Sequence, residues 1–189
     1  MRRLSVSTLV TLDGVVQDPG GFGETADAGW ANAYFDDEAG RLAYEHLLAS
    51  DVFLLGRETY ELFKQHWTQV HEGDYAARIN NMPKLVASTT LHEPLEWNAT
   101  LIEGDIAAEI AKLKHEDGGE ILMYGSPTLM RTLAAHDLID EYKVWVHPVV
   151  LGRGKRLFAD GFDKSSLELV DVKSLSTGVV ILTYRPDRA

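Results

Sequence analysis

Three short turns rich in glycine or hydroxyl groups follow predicted buried strands, and they are the residues best suited to bind an anion. They are residues 56–60 (Gly-Arg-Glu-Thr-Tyr), 88–89 (Ser-Thr) and 125–128 (Gly-Ser-Pro-Thr). Each offers hydroxyls or free backbone N–H groups to phosphate oxygens. One such turn alone is usually a cap or a turn former. Three of them at the ends of neighbouring strands favour an anionic nucleotide.

Other chemistries are excluded by what the sequence lacks. Without cysteine there are no disulfides, thiolate nucleophiles or cysteine-ligated zinc sites. The seven histidines form no recognised metal spacing, so we assign no metal, and neither a G-x-G-x-x-G after the first strand nor a P-loop motif occurs. The net charge of −11 argues against a nucleic-acid partner. No apolar run approaches the ~20 residues of a membrane span. We therefore expect a soluble, cytoplasmic protein.

The elements that must position these turns alternate between strand and helix. Periodicity and turn signals predict strands at 4–10, 51–55, 84–87, 100–102, 120–124 and 142–150, and helices at 36–50, 58–66, 106–113 and 127–136. Residues 167–172 and 179–184 flank a Ser-Thr-Gly turn and predict a hairpin. Residues 17–30 are glycine-rich and predict a long, functional loop. The pattern indicates one α/β domain over residues 1–189, with a mixed, mostly parallel sheet and antiparallel strands at its C-terminal edge.

Four segments occur in an order that resembles a known family. They are TLDG (11–14), LLGRETYE (54–61), GEILMYGS (119–126) and PVVLGRGKRLF (148–158). Together they resemble the C-terminal reductase domain of the bifunctional riboflavin deaminase-reductase RibD and, more distantly, dihydrofolate reductase. The resemblance covers nearly the whole chain. It implies a three-layer dihydrofolate-reductase-like fold and an NADPH-dependent oxidoreductase that reduces a pyrimidine or pterin-type heterocycle, like 5-amino-6-(5-phosphoribosylamino)uracil reductase.

The resemblance also implies which residues hold NADPH. Arg57 is expected near the adenosine 2′-phosphate, a role that suits its fixed fork of donors. Where dihydrofolate reductases carry a glycine pair, this chain has Gly125-Ser126-Pro127, and Thr128 stands where relatives often carry a basic residue, which leaves preference for NADPH over NADH open. The full expected set is Thr8, Leu9, Val16, Gly56, Arg57, Thr59, Ser88, Thr89, Tyr124, Gly125, Ser126, Thr128 and Leu129.

On the substrate side, the resemblance implies a carboxylate on the first helix. Asp37 is our first candidate for the catalytic acid and Asp36 the second, although carboxylates at a helix start usually serve capping and the helix dipole. Trp30 and Tyr34 are candidates to stack on a flat substrate, or else core anchors of the loop. Asp13 is a candidate substrate contact or simply a turn former.

The substrate itself stays open. A ribose phosphate would need a cationic pocket, to which Lys155 and Arg156 are candidates to contribute, although such pairs on loops are usually just solvated. The chain lacks the cysteines that a fused zinc deaminase domain requires, so we expect no such domain in it, and its substrate need not be the riboflavin intermediate. The alternatives are a true dihydrofolate reductase, a non-catalytic nucleotide-binding protein and a purely structural dimeric domain. The resemblance further implies a homodimer that pairs through the late strands.

Overall fold

A computed structural model describes residues 1–158 and 162–188 of the chain. Its eight strands form a single sheet in the order β4-β3-β2-β5-β1-β6-β8-β7. Their bounds are β1 Leu4–Thr11, β2 Ser50–Gly56, β3 Lys84–Ala87, β4 Ala99–Leu101, β5 Glu120–Tyr124, β6 Glu141–His147, β7 Leu167–Ser174 and β8 Val180–Pro186.

Strand directions follow the prediction of a mixed sheet. Strands β1 to β6 run parallel to one another, and β8 pairs antiparallel with both β6 and β7. The central strand β1 is almost entirely buried because it lies between β5 and β6 and is covered on both faces. The carboxyl ends of the parallel strands therefore share one edge, where α/β proteins bind ligands.

Five α-helices cover the sheet: α1 Asp37–Ala49, α2 Arg57–Trp67, α3 Asp74–Asn81, α4 Ile106–Lys114 and α5 Pro127–Ala135. Leu54 packs in one apolar cluster with side chains of α4 and α5, whereas its neighbours Phe53 and Leu55 pack in another with side chains of α1, α2 and α3. Because adjacent strand residues point to opposite faces, the two helix groups cover opposite faces of the sheet. The result is the predicted three-layer architecture. Helix α3 was not predicted.

The glycine-rich loop is ordered by one buried aspartate. The carboxylate of Asp18, which is 1% exposed, accepts hydrogen bonds from the backbone N–H groups of Phe22, Glu24 and Thr25. Its backbone carbonyl accepts from Gly29 N, 2.9 Å away. The loop thus folds around a single side chain without regular structure of its own.

Within residues 1–158 and 162–188, no helix is both long and apolar enough to cross a membrane.

Candidate active site

A cavity of about 1100 Å³ opens at the carboxyl ends of the central strands. Its walls come from β1, the glycine-rich loop, the α1, α2 and α3 helices and the β5–α5 turn. Nine of the residues expected in the site line it: Thr8, Leu9, Val16, Asp36, Asp37, Thr59, Tyr124, Gly125 and Ser126. Sequence positions that are far apart are therefore assembled around one space.

At one end of the cavity, the ends of β2 and β5 meet in a hydrogen-bonded junction of Gly56, Thr59 and Ser126. Ser126 Oγ lies 2.8 Å from Thr59 Oγ1 and accepts the Gly56 backbone N–H at 3.0 Å. A Cβ atom at Gly56 would lie 3.0 Å from Ser126 Oγ. Glycine is thus required here for close approach of the two turns rather than for an unusual φ, which is −78°.

The two helices that begin at this junction have no side-chain cap. No side chain of the described residues accepts from the first-turn amides of α2 or α5, whereas Asp36 caps α1 and Asp105 caps α4. Uncapped amides and the positive end of the helix dipole favour an anion. The turn before α5 also takes two consecutive left-handed residues, Gly125 at φ 56° and Ser126 at φ 55°. This geometry fits a pyrophosphate or phosphate between the helix ends.

The remaining expected cofactor residues lie around the junction but do not line the cavity. Ala87 pairs with Gly56 in the sheet, so Ser88 and Thr89 follow β3 directly beside the start of α2. Ser88 Oγ accepts from the N–H groups of Thr90 and Leu91. Leu129 is buried, and its Cβ would lie 3.9 Å from a Cβ at Gly56.

Two further members of that set are tied to their own helices. The Thr128 carbonyl accepts the hydroxyl of Thr132 at 3.3 Å on α5. Arg57, 41% exposed at its side chain, donates to Glu61 at 3.0 Å and lies 3.9 Å from Glu58. Arg57 is the first residue of α2, next to Gly56 of the junction, and it does not line the cavity.

One face of α2 lines the cavity from end to end. Thr59, Leu62, Phe63, His66 and Trp67 recur at helical spacing along this wall. The eight residue steps from Thr59 to Trp67 span about 12 Å at 1.5 Å per step. The cavity therefore leads from the junction to a second, separate end.

That second end, here called the aromatic end, is formed by Tyr44, Trp67 and Tyr75. The ring centroids of Trp67 and Tyr75 are 5.2 Å apart, and those of Tyr44 and Tyr75 are 6.4 Å apart. The Tyr75 hydroxyl lies 3.4 Å from that of Tyr124, and burial raises the pKa of Tyr75 to about 12 and that of Tyr124 well above 10. Both hydroxyls stay protonated at neutral pH. Sequence reasoning had not included Tyr75, because α3 was not predicted.

The two candidate acids on α1 differ in their surroundings. Asp36 Oδ1 accepts the Ala39 N–H at 2.9 Å, and Asp36 Oδ2 accepts the Ser176 hydroxyl at 3.2 Å, so this carboxylate caps the helix. Asp37 is exposed on the cavity wall, in the first turn of α1.

Glu24, which sequence reasoning did not select, also lines the cavity. Partial burial raises the pKa of the Glu24 carboxyl, and the carboxylates of Asp18 and Glu58 add to that effect, against the opposing charge of Lys155. A raised pKa suits a proton donor. Only the fold of the loop around Asp18 brings Glu24 here, and the sequence carries no local signal for it.

The three expected substrate contacts do not line the cavity. Their contacts match the other roles that the sequence suggested, a turn former for Asp13 and anchors of the loop for Trp30 and Tyr34. Asp13 accepts from the Thr11 hydroxyl at 2.6 Å and from Gly152 N at 2.7 Å, and these bonds lower its pKa to about 2. Trp30 is 9% exposed and donates from Nε1 to the Gln17 carbonyl. Tyr34 packs edge-on against the buried ring of His147. All three hold loops in place.

The two loop cations considered for a substrate phosphate are also engaged. Lys155 lines the cavity, with Nζ 2.7 Å from Glu58 Oε2. Arg156 donates to the backbone carbonyl of Asp13.

Comparison with known proteins agrees with this architecture. Residues 2–181 match the model of the RibD C-terminal domain. The uncharacterized protein YyaP of Bacillus subtilis (strain 168) is 30% identical over 187 residues, which cover 97% of this chain and 94% of YyaP. A putative riboflavin biosynthesis protein from Shewanella sp. PV-4 superposes with a TM-score of 0.76 at 22% identity and covers 98% of this chain and 99% of its own.

A dihydrofolate reductase from Enterococcus faecalis, solved in complex with NADP(H) and RAB-propyl, shares the fold more distantly. Its TM-score is 0.62 at 14% identity, and the match covers 98% of this chain and 96% of that one. The fold and the strand-end cavity thus define a dihydrofolate-reductase-like α/β protein. Within that class, the chain belongs to the RibD C-terminal domain family.

Proposed function

We propose that this protein is an NADPH-dependent oxidoreductase that transfers a hydride to a pyrimidine or pterin-type heterocycle. The observation that carries the proposal is the junction, where two uncapped helix N-termini flank the cavity at Gly56 and Ser126. Gly56 lets the two turns approach closely, which brings the two helix N-termini together where a phosphate group could bind their amides. Membership in a reductase domain family supports the same conclusion.

The residues that line the cavity from the junction to its middle fit NADPH. The amides at the starts of α2 and α5 would hold the pyrophosphate, with the hydroxyls of Thr59 and Ser126 beside them. Arg57, the first residue of α2, would meet the adenosine 2′-phosphate. Thr8, Leu9 and Val16 would wall the nicotinamide. When bound, NADPH supplies the hydride, and positioning is the main contribution of the protein.

Proton supply to the reduced ring would come from a carboxyl group on the cavity wall. Asp37 stays our candidate from the resemblance, with Asp36 second, and the raised pKa of Glu24 adds a third. Asp36 already accepts the capping bond from Ala39 N, which commits one of its oxygens to the start of α1.

We also propose that the protein is a cytoplasmic homodimer. Strand β7 is the last strand of the sheet order, and it exposes Leu169, Val170 and Val172 to extents of 50%, 44% and 49%. A second copy would cover this apolar edge, which is otherwise prone to pairing. Light scattering of the purified chain, compared with Val170→Lys, would reveal the dimer and its loss.

The experiment that tests the enzymatic proposal measures NADPH binding and NADPH oxidation separately. Binding is followed by cofactor fluorescence, and oxidation is followed with the ribosylaminopyrimidinone phosphate and with dihydrofolate as substrates. Turnover of either supports a reductase, and turnover of dihydrofolate alone assigns it to the dihydrofolate type. Tight binding without turnover of any pterin or pyrimidine would instead indicate a non-catalytic nucleotide-binding protein, and no binding would refute the proposal.

A further inference from the structure

The charges that line the cavity are strongly unbalanced. Among the described residues, seven carboxylates line it, against one arginine and one lysine: Asp18, Glu24, Asp36, Asp37, Glu58, Glu72 and Asp74, opposed by Arg41 and Lys155. A cofactor phosphate at the junction is served by helix amides and does not depend on these side chains. A second anionic group, on the substrate, would depend on them.

The lysine is already neutralised by the protein. Lys155 forms an ion pair with Glu58, and Glu58 belongs to the first turn of α2 near the junction. This pair lowers the pKa of Glu58, which keeps the carboxylate charged. Lys155 therefore adds no net positive charge for a substrate.

The arginine is the single cation of the described lining at the aromatic end. Arg41 Nη1 lies 2.6 Å from Glu45 Oε1 on the same helix. Asp37 lines the cavity from the same helix, α1, and Asp74 lines it from α3, where it precedes Tyr75. Even if the Arg41–Glu45 ion pair broke, a phosphate bound to Arg41 would be repelled by the negative charges of Asp37 and Asp74.

The walls at this end suit a flat ring instead. Tyr44, Trp67 and Tyr75 present aromatic surface, and the faces of such rings carry the negative end of a quadrupole. That surface attracts a cation as well as a neutral ring. The ring faces and the carboxylates therefore both favour a ligand with positive charge over one with negative charge.

We propose that the substrate of this cavity is a flat heterocycle that is neutral or positively charged and carries no phosphate at the aromatic end. The inference rests on the proposed reductase function and names its substrate class. It distinguishes this chain from a reductase of a ribose-phosphate pyrimidine, which would need a cationic pocket.

Three flat bicyclic probes of similar size test this selection by charge. They are 1-methylquinolinium, quinoline and quinoline-2-carboxylate, which at neutral pH are a cation, a neutral ring and an anion. Calorimetric titrations are made on the protein saturated with NADP⁺, so that the junction and nicotinamide site are filled, and are repeated at low and high salt. We expect the cation to bind about tenfold more tightly than the anion, with a ratio that shrinks as salt screens the carboxylates.

Variants identify the groups responsible. The double variant Asp37→Asn, Asp74→Asn should bring the cation-to-anion ratio close to one while quinoline binding is unchanged. The matched control Arg41→Gln should leave the ratio the same or raise it. Uridine should also bind more tightly than uridine 5′-monophosphate.

Some results would overturn the inference. These are anion binding as tight as cation binding, absence of both cation and quinoline binding, or a ratio that falls in Arg41→Gln and not in the double variant. Failure of the reductase proposal has a different signature, because NADPH would then fail to bind or to be oxidised whatever the probe preference.

Discussion

Thr59 Oγ1 and Ser126 Oγ lie 2.8 Å apart although 67 residues separate them in the chain. The contact joins the first turn of α2 to the residue that precedes α5, and Ser126 Oγ also accepts the Gly56 N–H. Because these groups bond to one another and leave the helix amides free, the junction is ordered before any ligand arrives. Such preorganisation lowers the entropic cost of holding a phosphate.

Substitution of Gly56 by alanine tests the junction. The added Cβ would lie 3.0 Å from Ser126 Oγ and 3.2 Å from Ser126 Cβ, so the two turns must separate. We expect NADPH affinity to fall at least about tenfold and the free energy of unfolding to fall by about 1–3 kcal/mol, as in overpacked sites. Cofactor fluorescence and urea unfolding measure the two effects.

Gly40→Ala is the matched control. This glycine lines the cavity from inside α1 but is not part of the junction, and a Cβ there would make only ordinary contact with Phe35 at 3.9 Å. Alanine should stabilise the helix by about 1 kcal/mol and leave NADPH affinity unchanged. Unaltered affinity in Gly56→Ala would disprove the role of the close approach.

Arg57→Ala should weaken NADPH binding about tenfold and leave NADH binding unchanged. The predicted contact is a charge-assisted hydrogen bond to the 2′-phosphate, worth about 1.5–3 kcal/mol. To make it, Arg57 must leave Glu61, and an exposed pair of this spacing is worth only a few tenths of a kcal/mol. Parallel titrations with both cofactors provide the measurement.

The comparison variant for Arg57 is Glu61→Gln, which releases the guanidinium. It should bind NADPH as tightly as the unaltered protein or slightly more so. Equal weakening toward both cofactors in Arg57→Ala would assign the arginine to another role.

The sequence predicted most of the fold because most of its signals are local. The β5 strand at Glu120–Tyr124 and the β3 strand at Lys84–Ala87 match the predicted bounds, since both are short apolar runs between polar turns. The hairpin of β7 and β8 was also predicted, and it forms the antiparallel edge. Helix α3 escaped prediction because its eight residues bury only Ala76 and Ile79, too few to show a helical period.

The site was predictable only where strand ends define it. Gly56, Thr59 and Ser126 follow buried strands, and parallel strands bring such residues to one edge whatever the loops do. Glu24 reaches the cavity by another route, because the loop folds around Asp18 through bonds that no short motif encodes. Asp13 illustrates the opposite case, since its turn signal was real and its carboxylate serves the loop at Gly152.

If Glu24 is the proton donor, Glu24→Gln should lower turnover about 100-fold at neutral pH without changing NADPH affinity. A positioned general acid contributes about 10² to 10⁴ in rate, and the glutamine keeps the shape but cannot donate the proton. In the unaltered protein, turnover should fall as pH rises through the raised pKa of Glu24, because the protonated form is the donor. Profiles of kcat against pH measure both effects.

Asp37→Asn is the discriminating partner of Glu24→Gln. If Glu24 is the donor, Asp37→Asn retains the fall in turnover with rising pH. If that fall disappears in Asp37→Asn and persists in Glu24→Gln, the proton comes from α1.

His147 should make the fold sensitive to mild acid. Its ring is 1% exposed, and Nδ1 lies 2.8 Å from the Trp145 carbonyl, to which it donates. Burial lowers the pKa of His147, against the opposing effects of backbone hydrogen bonds to Trp145 and Val10. Below about pH 6.5 the unfolded chain therefore takes up a proton that the folded chain does not. The free energy of unfolding consequently decreases as the pH is lowered. Asp13, with a pKa of about 2, titrates below this range.

Urea unfolding at about pH 7.5 and about pH 5.5, on either side of the unfolded histidine pKa, measures this loss. In His147→Gln the difference between the two pH values should shrink, because glutamine does not titrate, whatever the variant costs in stability at neutral pH. His92→Gln replaces an exposed histidine and should keep the full difference. An unchanged difference in His147→Gln would show that groups other than His147 cause the acid sensitivity, because this variant removes the contribution of the buried imidazole.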